Sequence, residues 1–239
     1  MTISEQQIPD RLKQVTNRIE QVCRQHQQSH PTLLAVSKTR SISEIREMYQ
    51  LGVTQFGENY LQESLEKQQQ LIDCDICWHF IGPIQSNKTR SIAEKFQWVH
   101  SVDRLKLANR LSNQRPPQLP ELNICLQVNI DNESSKSGFS ANEVVDAAKA
   151  IAQLPRLRLR GLMCIPEPRD NTHDQRQPFA KMQQLLKQIN QQLSANIPPL
   201  DSLSMGMSSD IEAAVAEGST IVRVGTALFG PRSTQSSTT

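Results

Sequence analysis

Short apolar segments alternate with amphipathic helical patterns along this chain from about residue 30 onward. Apolar runs of roughly four to eight residues that end at polar or turn-forming residues are typical of strands buried on both faces. Eight such segments occur, at 33–38, 53–58, 77–82, 97–102, 123–130, 158–165, 203–207 and 220–226. Seven segments with helical spacing lie between them, at 41–52, 61–72, 87–96, 103–114, 140–154, 178–193 and 209–218. The alternation predicts a parallel sheet covered by helices.

The number of strand–helix units favours a closed barrel over an open sheet. An open doubly wound sheet usually carries a Gly-x-Gly-x-x-Gly turn after its first strand, whereas the turn here reads SKTRSIS. An amphipathic segment at about 8–27 precedes the first strand and predicts an extra N-terminal helix. We therefore expect a single-domain α/β fold, a (β/α)8 TIM barrel over residues 1–230, with a disordered tail at 231–239.

Composition and charge argue against several classes of function. The net charge is only +2 over 239 residues, and no basic block is present, so the chain lacks the electrostatic signature of nucleic-acid binding. No apolar run approaches the roughly 20 residues of a membrane span, and the N-terminus lacks the apolar core of a signal peptide. Five scattered cysteines form neither a disulfide framework nor a repeated zinc spacing. We expect a cytoplasmic protein that binds no nucleic acid, membrane or metal.

Polar side chains occur at the ends of the first predicted strands, on the edge of the barrel where the chemistry of this fold takes place. Lys38 ends the first strand, and His79 lies inside the third. Glu58 and Asn59 end the second. A lysine at a strand end is most often a solvated surface residue. Lys38 becomes a candidate functional residue because the neighbouring strand ends carry further polar groups.

Arg223 is predicted to point into the barrel. It alternates with Val222 and Val224 along the eighth strand, so it lies on the opposite face of the sheet. The valine face should meet the helices, which leaves the arginine on the inner face. An arginine buried there without a partner would be costly. It therefore predicts either a polar ligand at the barrel mouth or, as a structural alternative, an ion pair with Glu58.

Small and hydroxyl-bearing residues follow the last two predicted strands. Gly206 and Ser208 come after the seventh strand, and Gly225 and Thr226 after the eighth. Glycines allow a ligand to approach the backbone, and the amides that open a helix favour an anion. The loops after strands seven and eight are a recurrent phosphate site in barrels. These residues predict a phosphate cradle, with simple turns as the alternative.

A lysine, a phosphate cradle and an inward arginine on one rim predict a phosphorylated carbonyl ligand. A lysine amine condenses with an aldehyde when enough of it is unprotonated. Pyridoxal 5'-phosphate (PLP) carries an aldehyde and a phosphate on one ring, so it would satisfy both ends of the site. An enzyme that uses Lys38 on a sugar phosphate, without PLP, is an alternative.

The motifs of this chain closely resemble those of the pyridoxal phosphate homeostasis protein family. The matching segments are AVSKTR, FGENYLQE, WHFIGPIQSNK, SVDR, VNI followed by ESSKSG, GLMCI and SMGMSSDIEAAVAEGSTIVRVGTALFG, from about residue 30 to 230. The family consists of single-domain relatives of the alanine racemase N-terminal barrel. The resemblance implies a monomeric PLP-binding protein of vitamin B6 and amino-acid homeostasis, with PLP-dependent apoenzymes as candidate recipients.

The resemblance also implies a role for each site residue. Lys38 would hold PLP covalently as an internal aldimine, and Arg223 would face the pyridine nitrogen. The phosphate would be held by Gly206, Ser208, Gly225 and Thr226 with the backbone of Met207, and the ring would be lined by Asn59, His79 and Met205.

Two features favour binding without catalysis. Enzymes that stabilise carbanions on PLP usually keep the pyridine nitrogen protonated beside a carboxylate, and an arginine has the opposite effect. The last predicted strand ends near residue 226, which leaves no chain for the β-domain that closes related racemases. We therefore expect no catalytic residues and no enzymatic turnover, with a slow PLP-dependent amino-acid racemase as the alternative.

Overall fold

The computed structural model describes residues 7–231 of the chain. Eight parallel strands close into a barrel in chain order, with β8 pairing back onto β1. The strands are β1 Thr32–Val36, β2 Gln55–Glu58, β3 Cys77–Phe80, β4 Trp98–Val102, β5 Leu122–Val128, β6 Leu157–Cys164, β7 Ser202–Ser204 and β8 Ile221–Val224. The helices are α1 Gln7–His26, α2 Ile42–Gln50, α3 Leu61–Gln70, α4 Thr89–Lys95, α5 Leu105–Gln114, α6 Val144–Ile151, α7 Thr172–Gln192, α8 Ile211–Ala216 and α9 Thr226–Phe229.

The predicted barrel is confirmed. Each of the eight predicted segments overlaps an observed strand, and the extra N-terminal helix is α1. The apolar stripe of α1 is buried through Val15, Ile19 and Val22 against α8 and α9. Burying side chains of this size contributes about 1.5–3 kcal/mol each. The predicted tail lies outside the described residues apart from Pro231.

Helix α7 begins earlier than the sequence predicts. The expected start was Pro178, because proline is favourable in the first turn of a helix. The observed start is Thr172, since the side chain of Asn171 accepts a hydrogen bond from the Asp174 N–H at 2.9 Å and caps the helix there. Pro178 lies inside the helix, where it removes one backbone donor and its ring crowds the preceding turn.

The turn that carries Lys38 is anchored at its far end. Ser41 and Glu44 form a capping box at the start of α2, with the Ser41 N–H donating to Glu44 Oε2 at 2.7 Å. Arg40 Nη2 donates to the carbonyl of Gly230 at 2.5 Å, just after α9. The turn after β1 is therefore tied to the segment that follows β8.

Candidate cofactor site

Lys38 lies at the mouth of the barrel. It comes two residues after the end of β1, and its side chain is partly exposed. The preceding residue, Ser37, is buried and donates its hydroxyl to Glu58 at 2.6 Å, on the helix side of the sheet. Alternation of side chains along an extended chain would direct the next residue, Lys38, to the inner face. The structure has a turn at 38–39, so the direction of the amine stays a prediction.

Arg223 points into the barrel, as predicted, and is buried. Its Nη1 donates to the carbonyl of Ser204 at 2.5 Å and to the hydroxyl of the same residue at 2.9 Å. Its Nη2 donates to the carbonyl of Cys164 at 2.9 Å. Ser204 and Cys164 end β7 and β6, so the guanidinium lies at the carboxyl edge of the strands. Burial lowers the pKa of Arg223, but arginine remains protonated in proteins.

The alternative ion pair between Arg223 and Glu58 is wrong. Glu58 lies on the helix side and pairs with Lys67 of α3 at 2.8 Å. The guanidinium of Arg223 has five N–H donors, and described residues accept hydrogen bonds from three of them. The other two have no acceptor among the described residues.

The loops after β7 and β8 meet, as the predicted phosphate cradle requires. The hydroxyl of Ser208 accepts a hydrogen bond from the Ala227 N–H at 3.3 Å, which joins the two loops. One predicted donor is used differently: the Met207 N–H donates to Asp210 Oδ1 at 2.5 Å. That amide closes the turn into α8, so the structure assigns it a partner within the protein.

Gly206 is required by its backbone and by its surroundings. Its φ is +92°, which L side chains rarely adopt, and a Cβ atom would lie 2.5 Å from the Cβ of Ala214. Gly52 has the same φ with nothing within 4 Å of its Cβ position. Substituting the two glycines therefore separates the cost of the backbone conformation from the cost of the contact with Ala214.

We expect Gly206→Ala to destabilise the protein more than Gly52→Ala. The left-handed conformation costs either variant about 1–2 kcal/mol, and the contact with Ala214 adds about 1–3 kcal/mol to the first alone. Urea unfolding measures both variants. Equal losses of stability would show that the loop before α8 moves freely, which would contradict a preformed cradle.

The predicted ring-lining residues have different surroundings. Asn59 Oδ1 is buried and has no hydrogen-bond partner among the described residues, so it is a candidate acceptor for a ligand group. Met205 is fully buried in the hydrophobic core. His79 is buried, and both of its ring nitrogens contact protein atoms. Ligand contacts at these three positions remain predictions.

A chain of hydrogen bonds runs from Arg223 through the inside of the barrel. Ser204 Oγ lies 2.7 Å from His100 Nδ1, His100 Nε2 lies 2.8 Å from His79 Nδ1, and His79 Nε2 lies 2.8 Å from Gln55 Oε1. Burial lowers the pKa of His79 to about 3 and that of His100 well below its usual value, so both rings are neutral.

The donor and the acceptor of each hydrogen bond in this series follow from the groups at its two ends. Arg223 can only donate and the Gln55 carbonyl oxygen can only accept. With both rings neutral, Ser204 donates to His100, His100 Nε2–H donates to His79, and His79 Nε2–H donates to Gln55. Every internal proton then has an acceptor: the Ser204 hydroxyl proton points to His100, and a lone pair of its oxygen faces Arg223.

Sequence reasoning did not identify the supporting residues of Arg223. Ser204 lies within the motif SMGMSSD and His100 within the apolar segment QWVHSV, where a histidine is unusual. That polarity inside a predicted core strand was the only signal available. The partner of each group became visible only once the barrel was closed.

Two other findings delimit the site. Within the described part of the chain, no three His, Cys, Asp or Glu side chains lie close enough together to hold a metal ion. None of the described helices is both long enough and apolar enough to cross a bilayer.

Comparison with known proteins assigns the class. Residues 11–233 match the family model of the alanine racemase N-terminal domain. Fold and site thus define an alanine-racemase-type barrel with a lysine after β1 and a buried arginine on β8.

The relatives identify the family within this class. The chain is 58% identical to the pyridoxal phosphate homeostasis protein of Pseudomonas aeruginosa, over 84% of each chain. It is 48% identical to the protein of that name from Haemophilus influenzae, over 94% of this chain and 96% of the relative. The chain belongs to the pyridoxal phosphate homeostasis protein family.

A solved structure shows the same fold at lower identity. PipY of Synechococcus elongatus, determined with PLP bound, is 36% identical and superposes with a TM-score of 0.81. The match covers 94% of this chain and 100% of that chain. The resemblance read from the motifs is confirmed.

Proposed function

We propose that this protein binds PLP at the barrel mouth and serves PLP and amino-acid homeostasis. The proposal rests mainly on the positions of Lys38, after β1, and of the buried Arg223, on β8. The two strands are neighbours, and Leu34 of β1 is the register partner of Arg223. The amine and the guanidinium thus belong to neighbouring strands of one rim. The names of the relatives and the PLP bound in PipY support the proposal.

The residues present fit PLP. The phosphate would be held where the Ser208 loop meets the start of α9, beside Gly206, Gly225 and Thr226. The free donors of Arg223 would bond the pyridine nitrogen and keep it unprotonated. The buried Asn59 Oδ1 would accept a hydrogen bond from a ring substituent.

Lys38 would attach the cofactor covalently. Its neutral amine adds to the aldehyde carbon, and the carbonyl oxygen leaves as water, so a C=N bond replaces the C=O bond without any oxidant or reductant. Borohydride reduces such a bond. The test is the mass of the reconstituted, reduced protein. We expect one PLP adduct on the peptide that contains Lys38, and its absence would contradict the proposal.

We further propose that the protein holds PLP without turnover. A donor opposite the pyridine nitrogen weakens the cofactor as an electron sink, and the relatives are named as homeostasis proteins. The alternative, a slow racemase, is favoured by the match to the alanine racemase N-terminal domain. Chiral assays over several amino acids separate the two. Sustained racemisation that Lys38→Ala abolishes would contradict the non-enzymatic proposal.

PLP-dependent apoenzymes are the proposed recipients of the cofactor. Exposed large hydrophobic residues follow three strands at the barrel mouth: Tyr60 after β2, Leu105 after β4 and Ile165 after β6. Exposed apolar groups around a ligand site are typical of interaction surfaces. The monomeric state and the cytoplasmic location remain predictions.

We expect Arg223→Gln to bind PLP about tenfold more weakly or worse, since a charged hydrogen bond is lost, while the covalent adduct at Lys38 still forms. Spectroscopic titration with PLP measures the affinity. Arg115→Gln is the matched control, because Arg115 is a second buried arginine that donates only to backbone carbonyls among the described residues. Unchanged PLP affinity in the Arg223 variant would contradict its role toward the ring.

A further inference from the structure

A buried ionic cluster lies behind Lys38, between β1, β2 and α3. Lys67 Nζ donates to Glu58 Oε1 at 2.8 Å, to Glu63 Oε1 at 2.6 Å and to the carbonyl oxygen of Ser37 at 2.6 Å. An ammonium has three N–H donors, so all of its hydrogens are used. Lys67 and Glu58 are both buried on the helix side of the sheet.

The cluster holds both peptide groups that flank the Cα atom of Lys38. The Ser37 carbonyl belongs to the peptide that precedes Lys38, and Lys67 bonds it. The Thr39 N–H belongs to the peptide that follows, and it donates to Glu63 Oε1 at 2.5 Å. With both peptide planes held, the φ and ψ angles of Lys38 are restrained, and so is the direction of its Cα–Cβ bond.

Thr39 provides an independent sign of constraint. Its φ is +63°, in the left-handed region, where a β-branched residue is a genuine outlier. Such conformations persist only where the surroundings determine them, and they concentrate at functional sites. Here the bond from the Thr39 N–H to Glu63 fixes the strained residue directly after Lys38.

A purely structural role accounts for the cluster less well. Burial raises the pKa of Glu58, which shows that its charge is held at a cost in free energy, and buried ion pairs are weak evidence for stability. If the cluster served only to attach α3 to the sheet, it would not need to contact the peptide groups on both sides of Lys38.

We propose that Lys67, with Glu58 and Glu63, is a positioning cluster that aims the Lys38 amine at its carbonyl ligand. The inference rests on the proposed function, in which Lys38 is the attachment residue for PLP. The cluster does not touch the ligand. By holding the backbone of the turn after β1, it affects how fast and how completely PLP attaches to Lys38.

The test compares rates of covalent attachment of PLP to the full-length apoprotein, read from absorbance and from mass after borohydride reduction. We expect Lys67→Met combined with Glu58→Gln to slow attachment at least about tenfold, because small errors in placing a reacting group have large kinetic effects. The paired change avoids leaving one buried charge unpaired.

Thr39→Gly separates positioning from stability. Glycine adopts the left-handed conformation without cost, so we expect an unchanged or higher melting temperature. The turn also becomes less constrained, so attachment should slow several-fold, an order of magnitude consistent with a mildly misplaced amine. Should the paired variant not fold, Glu63→Ala decides, because it removes the acceptor of the Thr39 N–H from a half-buried position.

Arg160→Met is the matched structural control. Arg160 pairs with Asp201 at 2.8 Å, just before β7 and away from the mouth, so its loss should lower stability and leave the attachment rate unchanged. Attachment in Glu63→Ala and in a folded paired variant within about twofold of the wild-type rate would overturn the positioning role. Failure of the wild-type protein itself to form an adduct at Lys38 would overturn the proposed function instead, and this inference with it.

Discussion

We expect the Lys38→Ala protein to fold as a barrel but to form no covalent adduct with PLP. The side chain of Lys38 lies partly exposed at the mouth and outside the hydrophobic core, so its removal creates no cavity. The amine is the only group at this position that can condense with the aldehyde. PLP held by the phosphate cradle and Arg223 alone should be lost on dialysis, with affinity reduced at least about tenfold.

The measurement combines borohydride trapping, peptide mass and thermal unfolding. Lys106→Ala is the control, since Lys106 is an exposed lysine of α5. It should retain the wild-type adduct. An adduct of equal yield in Lys38→Ala would show that another lysine is the attachment residue. Loss of cooperative unfolding in that variant would instead give Lys38 a structural role.

The second large effect concerns pH. Burial holds the pKa of His79 at about 3, and that of His100 well below its usual value, in the folded apoprotein. Both histidines of the unfolded chain titrate near about 6.5. As the pH falls below that value, protons bind the unfolded state and not the folded one, so stability falls with pH down to about 3 for His79.

The expected loss of folding stability on acidification is large for a protein of this length. Each neutral buried histidine contributes a slope of about 1.4 kcal/mol per pH unit below about 6.5. Between pH 7 and pH 5 this amounts to about 2 kcal/mol for each histidine, and up to about 4 kcal/mol for the pair. Urea unfolding of the apoprotein at several pH values measures the slope.

Variants that replace the histidines with glutamine separate their contribution to the pH dependence of stability from that of the carboxylates. We expect His79→Gln to lose about half of the slope attributed to the pair, and His79→Gln with His100→Gln to lose most of it. His173→Gln, at an exposed position of α7, should keep the wild-type slope. If His79→Gln retained the full slope between pH 7 and 5, the neutral hydrogen-bonded chain inside the barrel would be wrong.

Local patterns were sufficient for the fold and for the positions of Lys38 and Arg223 within it. Alternation of apolar runs with helical spacing located every strand, because strand and helix periodicity is a property of consecutive residues. The same rule placed Arg223 on the inner face, opposite Val222 and Val224. The start of α7 was misplaced because Pro178 gave a stronger local signal than the Asn171 cap.

The ion-pair and hydrogen-bond partners of individual groups could not be predicted from local sequence patterns. Glu58 was the alternative partner of Arg223 on grounds of charge, yet the closed barrel separates them by the thickness of the sheet and pairs Glu58 with Lys67. The Met207 amide was expected to face the phosphate, but Asp210 bonds it. Charge and hydrogen-bonding capacity identify groups that need a partner, without choosing it.

By itself the sequence determined the order of strands and helices, the inward direction of Arg223, and the position of Lys38 and of the predicted anion cradle at strand ends on one rim. Only the tertiary structure decided what holds them in place: the clamp of Lys67 on the peptides around Lys38, and the contact of His100 with Ser204, 104 residues apart in the chain. The reason is physical. Backbone periodicity sets the direction of a side chain within a few residues, whereas its partner is set by which distant strands the closure of the barrel brings side by side.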